Sequence, residues 1–406
     1  MPRCATGLDR LALGEADVVA LVRGRRIGLV AHPASVDARL THAKDLLVRA
    51  GADLRVLFGP EHGYGGEAQD MIGVGELRDA ETGAQIRSLY GATEAELSPK
   101  REWLDGLDAI VIDLQDVGSR YYTFVWTALL VLRCAARAGV HVVLLDRPNP
   151  IGGEATSIEG ATVRENFRSF VGLEPVPVRH SLTVGEMLAL MAKREGLALG
   201  ADGALSVANV RGWDRAALAT AWDRPFVMTS PNMPLVETAL VYPGGCLIEG
   251  TNLSEGRGTT RPFEIVGAPW IDGAALSASL TATKLPGFIA RPITFQPTFQ
   301  KHARAICGGV FVHVTDARAF RPMATYLSLV ALAQKQDPER FRFRTELYEY
   351  VDDIPAFDLL TGSAEARLAI EAGAPALDVA NEAARADPAW ADAVDLSRAL
   401  AKQAEA

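Results

Sequence analysis

The chain has 406 residues, 49% of them hydrophobic and 22% charged, with a formal net charge of −9. That balance belongs to a globular protein long enough for two or three domains and for large cores that need no covalent staples. Its acidity argues against nucleic acid as a partner, because nucleic-acid binders carry a basic face.

Residues 26–36 (RIGLVAHPASV) read as a strand closed by a polar turn, 41–51 as an amphipathic helix stopped by Gly51, and 53–60 as a second strand. A third strand is expected over 107–118, a helix over 123–139 and a fourth strand over 140–150. Near-continuous apolar strands separated by helices indicate a parallel sheet covered on both faces. The fold class is therefore α/β, a doubly wound parallel sheet. Residues 151–180 read as loop. A helix over 183–196 opens with Thr183 and carries Glu186 three positions later, the spacing of a capping box. The stretch 228–269 is rich in loop residues. A strand (308–316), a helix (323–336) and an alanine-rich helical tail follow. These elements divide the chain into a first domain over 1–235 and a second, α/β or α+β, over 236–406.

Several function classes lose support. There is no GxGxxG after the first strand, no GxxxxGK[ST], no GxSxG and no HExxH. Cys4, Cys134, Cys246 and Cys307 form no CxxC pair and are expected to be buried thiols. No window approaches 18 apolar residues, and the amino terminus has no apolar run of leader length. The expected compartment is the cytoplasm, although a start placed downstream of a true leader would read the same.

In open parallel sheets, ligands bind outside the carboxyl ends of the strands. Three expected strands end in polar clusters: Glu61-His62, then Asp113, Gln115 and Asp116 with Arg120 beyond, then Asp146, Arg147 and Asn149. Three such ends on one edge point to a shared site. A carboxyl at the position of Glu61, half-buried at a rigid strand end, can be tuned toward general-acid work. Gly63, Gly65 and Gly66 let the chain bend beside a ligand. The plainer alternative is a loop carboxylate that caps the next helix. A second dense region holds Asn232 between Pro231 and Pro234, then Glu249, Asn252, Glu255 and Arg257 in EGTNLSEGRGTT. That run looks too polar to form a core and offers the amide, hydroxyl and carboxylate partners that sugars need. Arg257 suits a bidentate carboxylate contact, or an ion pair with Glu249 or Glu255. A metal held by His62, Asp113, Asp116 and Asp146 is geometrically open, but the seven histidines show no ligand spacing and no metal is assigned.

At these motifs the chain resembles a known family. LFGPEHGYGGEAQ, VIDLQDVGSRYYTF, LLDRPNPIGG with the following IEG, FVGLEPVPVRHSLTVGEM, SPNMP, VYPGGCLIEGTNLSEGRGTTRPFE and FDLLTGS occur in order from about residue 25 to 365. They resemble the exo-β-N-acetylmuramidases related to NamZ. The resemblance implies a Rossmann-like first domain, a smaller C-terminal α/β domain and an active-site cleft between them. It implies a glycoside hydrolase that removes N-acetylmuramic acid from the non-reducing end of peptidoglycan fragments, with no metal or nucleotide cofactor. Glu61 then matches the catalytic carboxyl. Asp116 is the first choice for its partner and Glu249 the next, with a substrate acetamide as a further possible nucleophile. Arg120, Arg147 or Arg257 would meet the lactyl carboxylate, and His62 and His180 would bind hydroxyls or tune Glu61. A muropeptide sensor on the same scaffold and a metal-dependent hydrolase are the competing readings.

Overall fold

The computed structural model describes residues 4–66 and 77–405. The end of the first motif, 67–69, lies outside the described residues. Seven strands form the larger sheet: β1 (Arg26–Val30), β2 (Asp53–Gly59), β3 (Leu77–Arg78), β4 (Gln85–Ser88), β5 (Ala109–Ile112), β6 (His141–Leu145) and β7 (Leu205–Ala208). Their order is β3-β4-β2-β1-β5-β6-β7, with β3 antiparallel at one edge and the other six parallel. Strands β1, β5 and β6 are buried along almost their whole length, so their sequences run apolar without alternation.

The helices that cover the sheet begin and end for local reasons. The helix Phe124–Ala138 stops at Gly139, which takes the left-handed backbone (φ 70) that glycine adopts without steric cost. The helix Val184–Arg194 opens with the expected capping box. The Glu186 N–H donates to the Thr183 hydroxyl at 3.1 Å, and the Thr183 N–H donates to Glu186 Oε2 at 3.0 Å.

Each face of the sheet carries a core. One gathers Leu8, Val18, Leu29, Leu57 and Val111. The other gathers Phe58, Ile112, Trp126 and Leu144 and continues without a break into Val310, Leu327 and Phe357 of the second half. That half is built on β8 (Ile265–Ala268), β9 (Phe288–Phe295) and β10 (Cys307–Val314), ordered β8-β10-β9 and antiparallel throughout. Of the two expectations for it, α+β is the one observed. The last helix, Ala389–Gln403, returns to pack on Val184–Arg194, and Glu405 beyond it forms a bridge with Val207 and an ion pair with Arg10 at 3.1 Å.

The stretch 228–269 departs from its loop reading. It contains the helix Val236–Gly245, a 3-10 turn over Cys246–Gly250 and β8. Thr251, Leu253, Ser254 and Glu255 are buried, so the polar run is packed rather than solvated. Among the described residues no helix is long and apolar enough to cross a membrane.

Candidate active site

Glu61 is presented by a turn that only glycine permits at its first position. A Cβ on Gly59 would lie 2.2 Å from the Tyr64 amide nitrogen. The chain therefore folds back as soon as β2 ends, with His62 and Gly63 both in left-handed backbone (φ 71 and 82) and the Gly63 N–H donating to the Pro60 carbonyl at 2.9 Å. The half-buried Glu61 carboxyl accepts a hydrogen bond at Oε2 from the Thr123 hydroxyl at 2.6 Å, and His62 Nε2 stands 4.0 Å from Oε1.

This carboxyl opens into a cleft of about 800 Å³ bounded by the carboxyl edge of the parallel sheet and by the 230–263 and 342–349 segments. Asn232, Asn252, Glu249, Glu255 and Arg257 all line it. One wall is an ion-pair network. Arg257 Nη2 meets Glu249 Oε1 at 2.6 Å and Arg257 Nε meets Glu255 Oε1 at 3.2 Å, while Lys301 Nζ meets Glu255 Oε2 at 2.8 Å. The Tyr348 hydroxyl donates to the other Glu249 oxygen at 2.8 Å. Burial alone would raise the Glu255 carboxyl, but Lys301 and Arg257 outweigh it and hold Glu255 below the usual carboxylate range. Burial would lower the Arg257 guanidinium; Glu249 and Glu255 instead raise it. Each acid of the network is thus matched by a cation, as a buried cluster must be paired to persist. Asn252 braces the same wall, donating to Arg340 O at 2.8 Å and accepting from the Arg342 N–H at 2.9 Å.

A further carboxyl on the cleft, Glu349, escapes sequence reasoning. It accepts at Oε2 from the Tyr90 hydroxyl at 3.1 Å. Burial, followed by the charge of Glu61, pushes it up to about 8. The only local hint is an acid between two tyrosines, Tyr348 and Tyr350, far along the chain from Glu61.

The other strand-end residues do not line the cleft; they turn inward and hold the sheet edge together. Asp113 is buried in a bidentate pair with Arg147, whose Nη2 also donates to Val36 O at 2.9 Å. Arg120 is fully buried and spends its guanidinium on the carbonyls of Ala161, Val176 and Leu360. Asp116 accepts from the Gly118 N–H at 2.6 Å and stands 3.7 Å from His180 Nε2, both side chains buried. Gln115 donates to the carbonyls of Asp116 and Pro148, and Asn149 to that of Leu182. Asp146 accepts from the Thr183 hydroxyl at 2.7 Å and the Gly185 N–H at 2.9 Å, at the start of a helix, and burial pushes it up to about 6. Two of the four side chains considered for a metal, Asp113 and Asp146, are committed in this way. Among the described residues no group of three or more His, Cys, Asp or Glu side chains is arranged to hold a metal ion.

Residues 27–237 match the family model for the N-terminal part of the exo-beta-N-acetylmuramidase NamZ, and residues 240–395 match the model for its C-terminal part. The peptidoglycan beta-N-acetylmuramidase NamZ of Bacillus subtilis (strain 168) is 39% identical over 381 residues, covering 94% of this chain and 87% of that protein. Two crystal structures of DUF1343 family proteins from Bacteroides fragilis share the fold. One superposes with a TM-score of 0.81 at 28% identity and the other with 0.70 at 22%, each covering 99% of this chain and 98% of its own.

Proposed function

The chain belongs to the exo-β-N-acetylmuramidase NamZ family, and we propose that it is an exo-acting glycoside hydrolase that releases β-1,4-linked N-acetylmuramic acid from the non-reducing end of peptidoglycan fragments. The observation that carries this reading is Glu61. It is a half-buried carboxyl fixed on a turn at a strand end, hydrogen-bonded by Thr123 and facing a cleft large enough for a disaccharide. Glycoside hydrolysis uses a pair of carboxyl groups about the scissile bond. The cleft supplies carboxyls beside Glu61, whereas Asp116 lies buried behind it. Glu249 has both oxygens engaged by Arg257 and Tyr348, which suits it to fixing the wall rather than exchanging protons.

The substrate's two distinguishing groups also find partners. Asn232 lines the cleft and suits hydroxyl and acetamide groups, whereas the Asn252 amide is held by the Arg340 and Arg342 backbone. The lactyl carboxylate needs a cation. Arg120 and Arg147 are buried elsewhere, and Arg257 and Lys301 are consumed by Glu249 and Glu255. Arg344 remains. It lines the cleft, its guanidinium lies 5.7 Å from the Tyr348 ring, and its Nε makes only a 3.3 Å contact with the exposed Glu346. We assign the lactyl contact to Arg344.

The test is product analysis. The purified protein is incubated with N-acetylmuramic acid–β-1,4-N-acetylglucosamine, with and without EDTA, and both products are followed by mass spectrometry. Free N-acetylmuramic acid is expected in both tubes. No release by folded protein would overturn the hydrolase reading in favour of a muropeptide-binding protein, and release that EDTA abolishes would favour a metal-dependent one.

A further inference from the structure

We propose that Glu349 is the proton donor of the hydrolysis and that Glu61 works with it as the second carboxyl of the pair; the proposal rests on the hydrolase reading above. Elimination among the cleft carboxyls leads there first. Glu249 and Glu255 are held by Arg257 and Lys301, and the Glu346 side chain is exposed to solvent. That leaves Glu61 and Glu349, which come to the cleft from separate parts of the fold, one from the end of β2 and the other from the 345–350 segment. The Glu349 carboxyl is engaged at a single oxygen. Tyr90 donates to Oε2, and among the described residues no hydrogen bond is made to Oε1.

The backbone around Glu349 supports a functional placement. Glu349 and Tyr350 both take left-handed backbone (φ 45 and 70) although neither is glycine. Such conformations persist where surroundings over-determine them and gather at active sites. Here the Tyr348 N–H donates to Val351 O at 2.9 Å and the Val351 N–H returns to Tyr348 O at 3.0 Å, closing a tight turn. The flanking tyrosines pin that turn from both sides, Tyr348 on Glu249 and Tyr350 on the Gly91 carbonyl at 2.9 Å. Glu349, at the apex, is presented to the cleft.

The groups that act on Glu349 include Glu61, Glu249 and Arg257, the Tyr90 hydroxyl that donates to it, and the flanking Tyr348 and Tyr350. Burial and the negative charges of Glu61 and Glu249 favour its protonated form; the Tyr90 hydrogen bond and Arg257 oppose this and are outweighed. With its proton held up to about pH 8, Glu349 is neutral at pH 7 beside a partner whose Oε2 already accepts a hydrogen bond from Thr123. Two carboxyls in unequal environments are the division of labour the reaction needs.

Glu349 gives its proton to the glycosidic oxygen as the bond from that oxygen to C1 of N-acetylmuramic acid breaks, and the bonding electron pair leaves with the oxygen. The positive charge developing at C1 faces the Glu61 carboxylate. Across the cycle one water supplies the hydroxyl that ends on C1 and the proton that returns, through Glu61, to Glu349.

The experiment compares leaving groups. Wild type and Glu349→Gln are assayed on the disaccharide and on a 4-methylumbelliferyl β-glycoside of N-acetylmuramic acid, whose leaving group departs without protonation. The expected result is a loss in kcat/KM of about 10³-fold or more on the disaccharide, but of only about tenfold or less on the aryl glycoside. Equal losses on both substrates, or near-wild-type turnover of the disaccharide, would overturn the assignment. Should Glu349→Gln fail to fold, Tyr90→Phe gives the second readout. Without the Tyr90 hydrogen bond the alkaline limb of the wild-type kcat/KM profile moves to higher pH; an unmoved limb overturns the assignment. A wild-type enzyme that releases nothing from the disaccharide would instead sink the hydrolase reading itself.

Discussion

The Thr123 hydroxyl donates to Glu61 Oε2 at 2.6 Å, tying the turn after β2 to the helix that follows β5. Threonine at the head of a helix ordinarily accepts a hydrogen bond from the first turn. Thr123 makes no such cap, and its own backbone is already helical (φ −67, ψ −10). Its hydroxyl has been given to Glu61 instead. Thr123→Val is therefore expected to lower kcat about tenfold or more, the scale of one hydrogen bond to a charged group, with a small change in thermal midpoint. Thr123→Ser is expected to restore most of the activity. Steady-state kinetics with melting curves on both variants check this; a Val variant with unchanged kcat would detach Thr123 from the reaction.

Arg344 is expected to select for the lactyl group. Arg344→Met should reduce kcat/KM about 10- to 100-fold on N-acetylmuramic acid substrates while leaving the slower turnover of N-acetylglucosamine analogues nearly unchanged. An equal reduction on both would count against a contact with the lactyl carboxylate.

The Glu255 network is a structural requirement. Glu255 faces two cations, Arg257 at 3.2 Å and Lys301 at 2.8 Å. Removing one partner of a buried pair leaves uncompensated charge, at a cost of about 3–5 kcal/mol. Urea denaturation of Glu255→Ala should show a loss on that scale with an unchanged slope; a loss below about 1 kcal/mol would mean that the charges are hydrated in solution.

Glu159 makes stability depend on pH. It is buried, one oxygen accepts from the Ala324 N–H at 3.1 Å, and burial pushes its carboxyl up to about 7 from an ordinary value near 4.5. The folded state thus favours the protonated acid. The stability this contributes is fully present below about pH 4.5 and is lost as pH rises to about 7. Melting midpoints of wild type and Glu159→Gln should stay close at pH 5 and separate by pH 8, with the Gln variant the more stable. Parallel curves across that range would contradict the assignment.

How much of this was legible in the chain differs by feature. Strands β1, β5 and β6 are readable because burial on both faces leaves a nearly uninterrupted apolar run, and β2 because its last four residues, 56–59, are buried. Strand β3 at one edge, β4 beside it and β7 at the other edge are short and mix polar with apolar residues, so they leave little trace. The rule that ligands gather at the carboxyl ends of parallel strands located the right edge, but it carries no information about side-chain direction. Asp113, Asp116 and Asp146 share that edge with Glu61 yet face inward toward Arg147, His180 and a helix start. The run 249–260 looks too polar to bury on composition alone. Its polar groups are satisfied by Lys301 and Tyr348, partners from distant segments that local composition cannot reveal. Glu349 was missed for the same reason, because only the folded chain sets it beside Tyr90.

The most direct test of the account is the turnover of Glu61→Gln on N-acetylmuramic acid–β-1,4-N-acetylglucosamine, with its binding and melting midpoint measured alongside. The account predicts a fall in kcat of about 10²- to 10⁴-fold in a protein that still binds the disaccharide and melts close to wild type. Turnover within about tenfold of wild type would remove Glu61 from the chemistry and contradict the central claim.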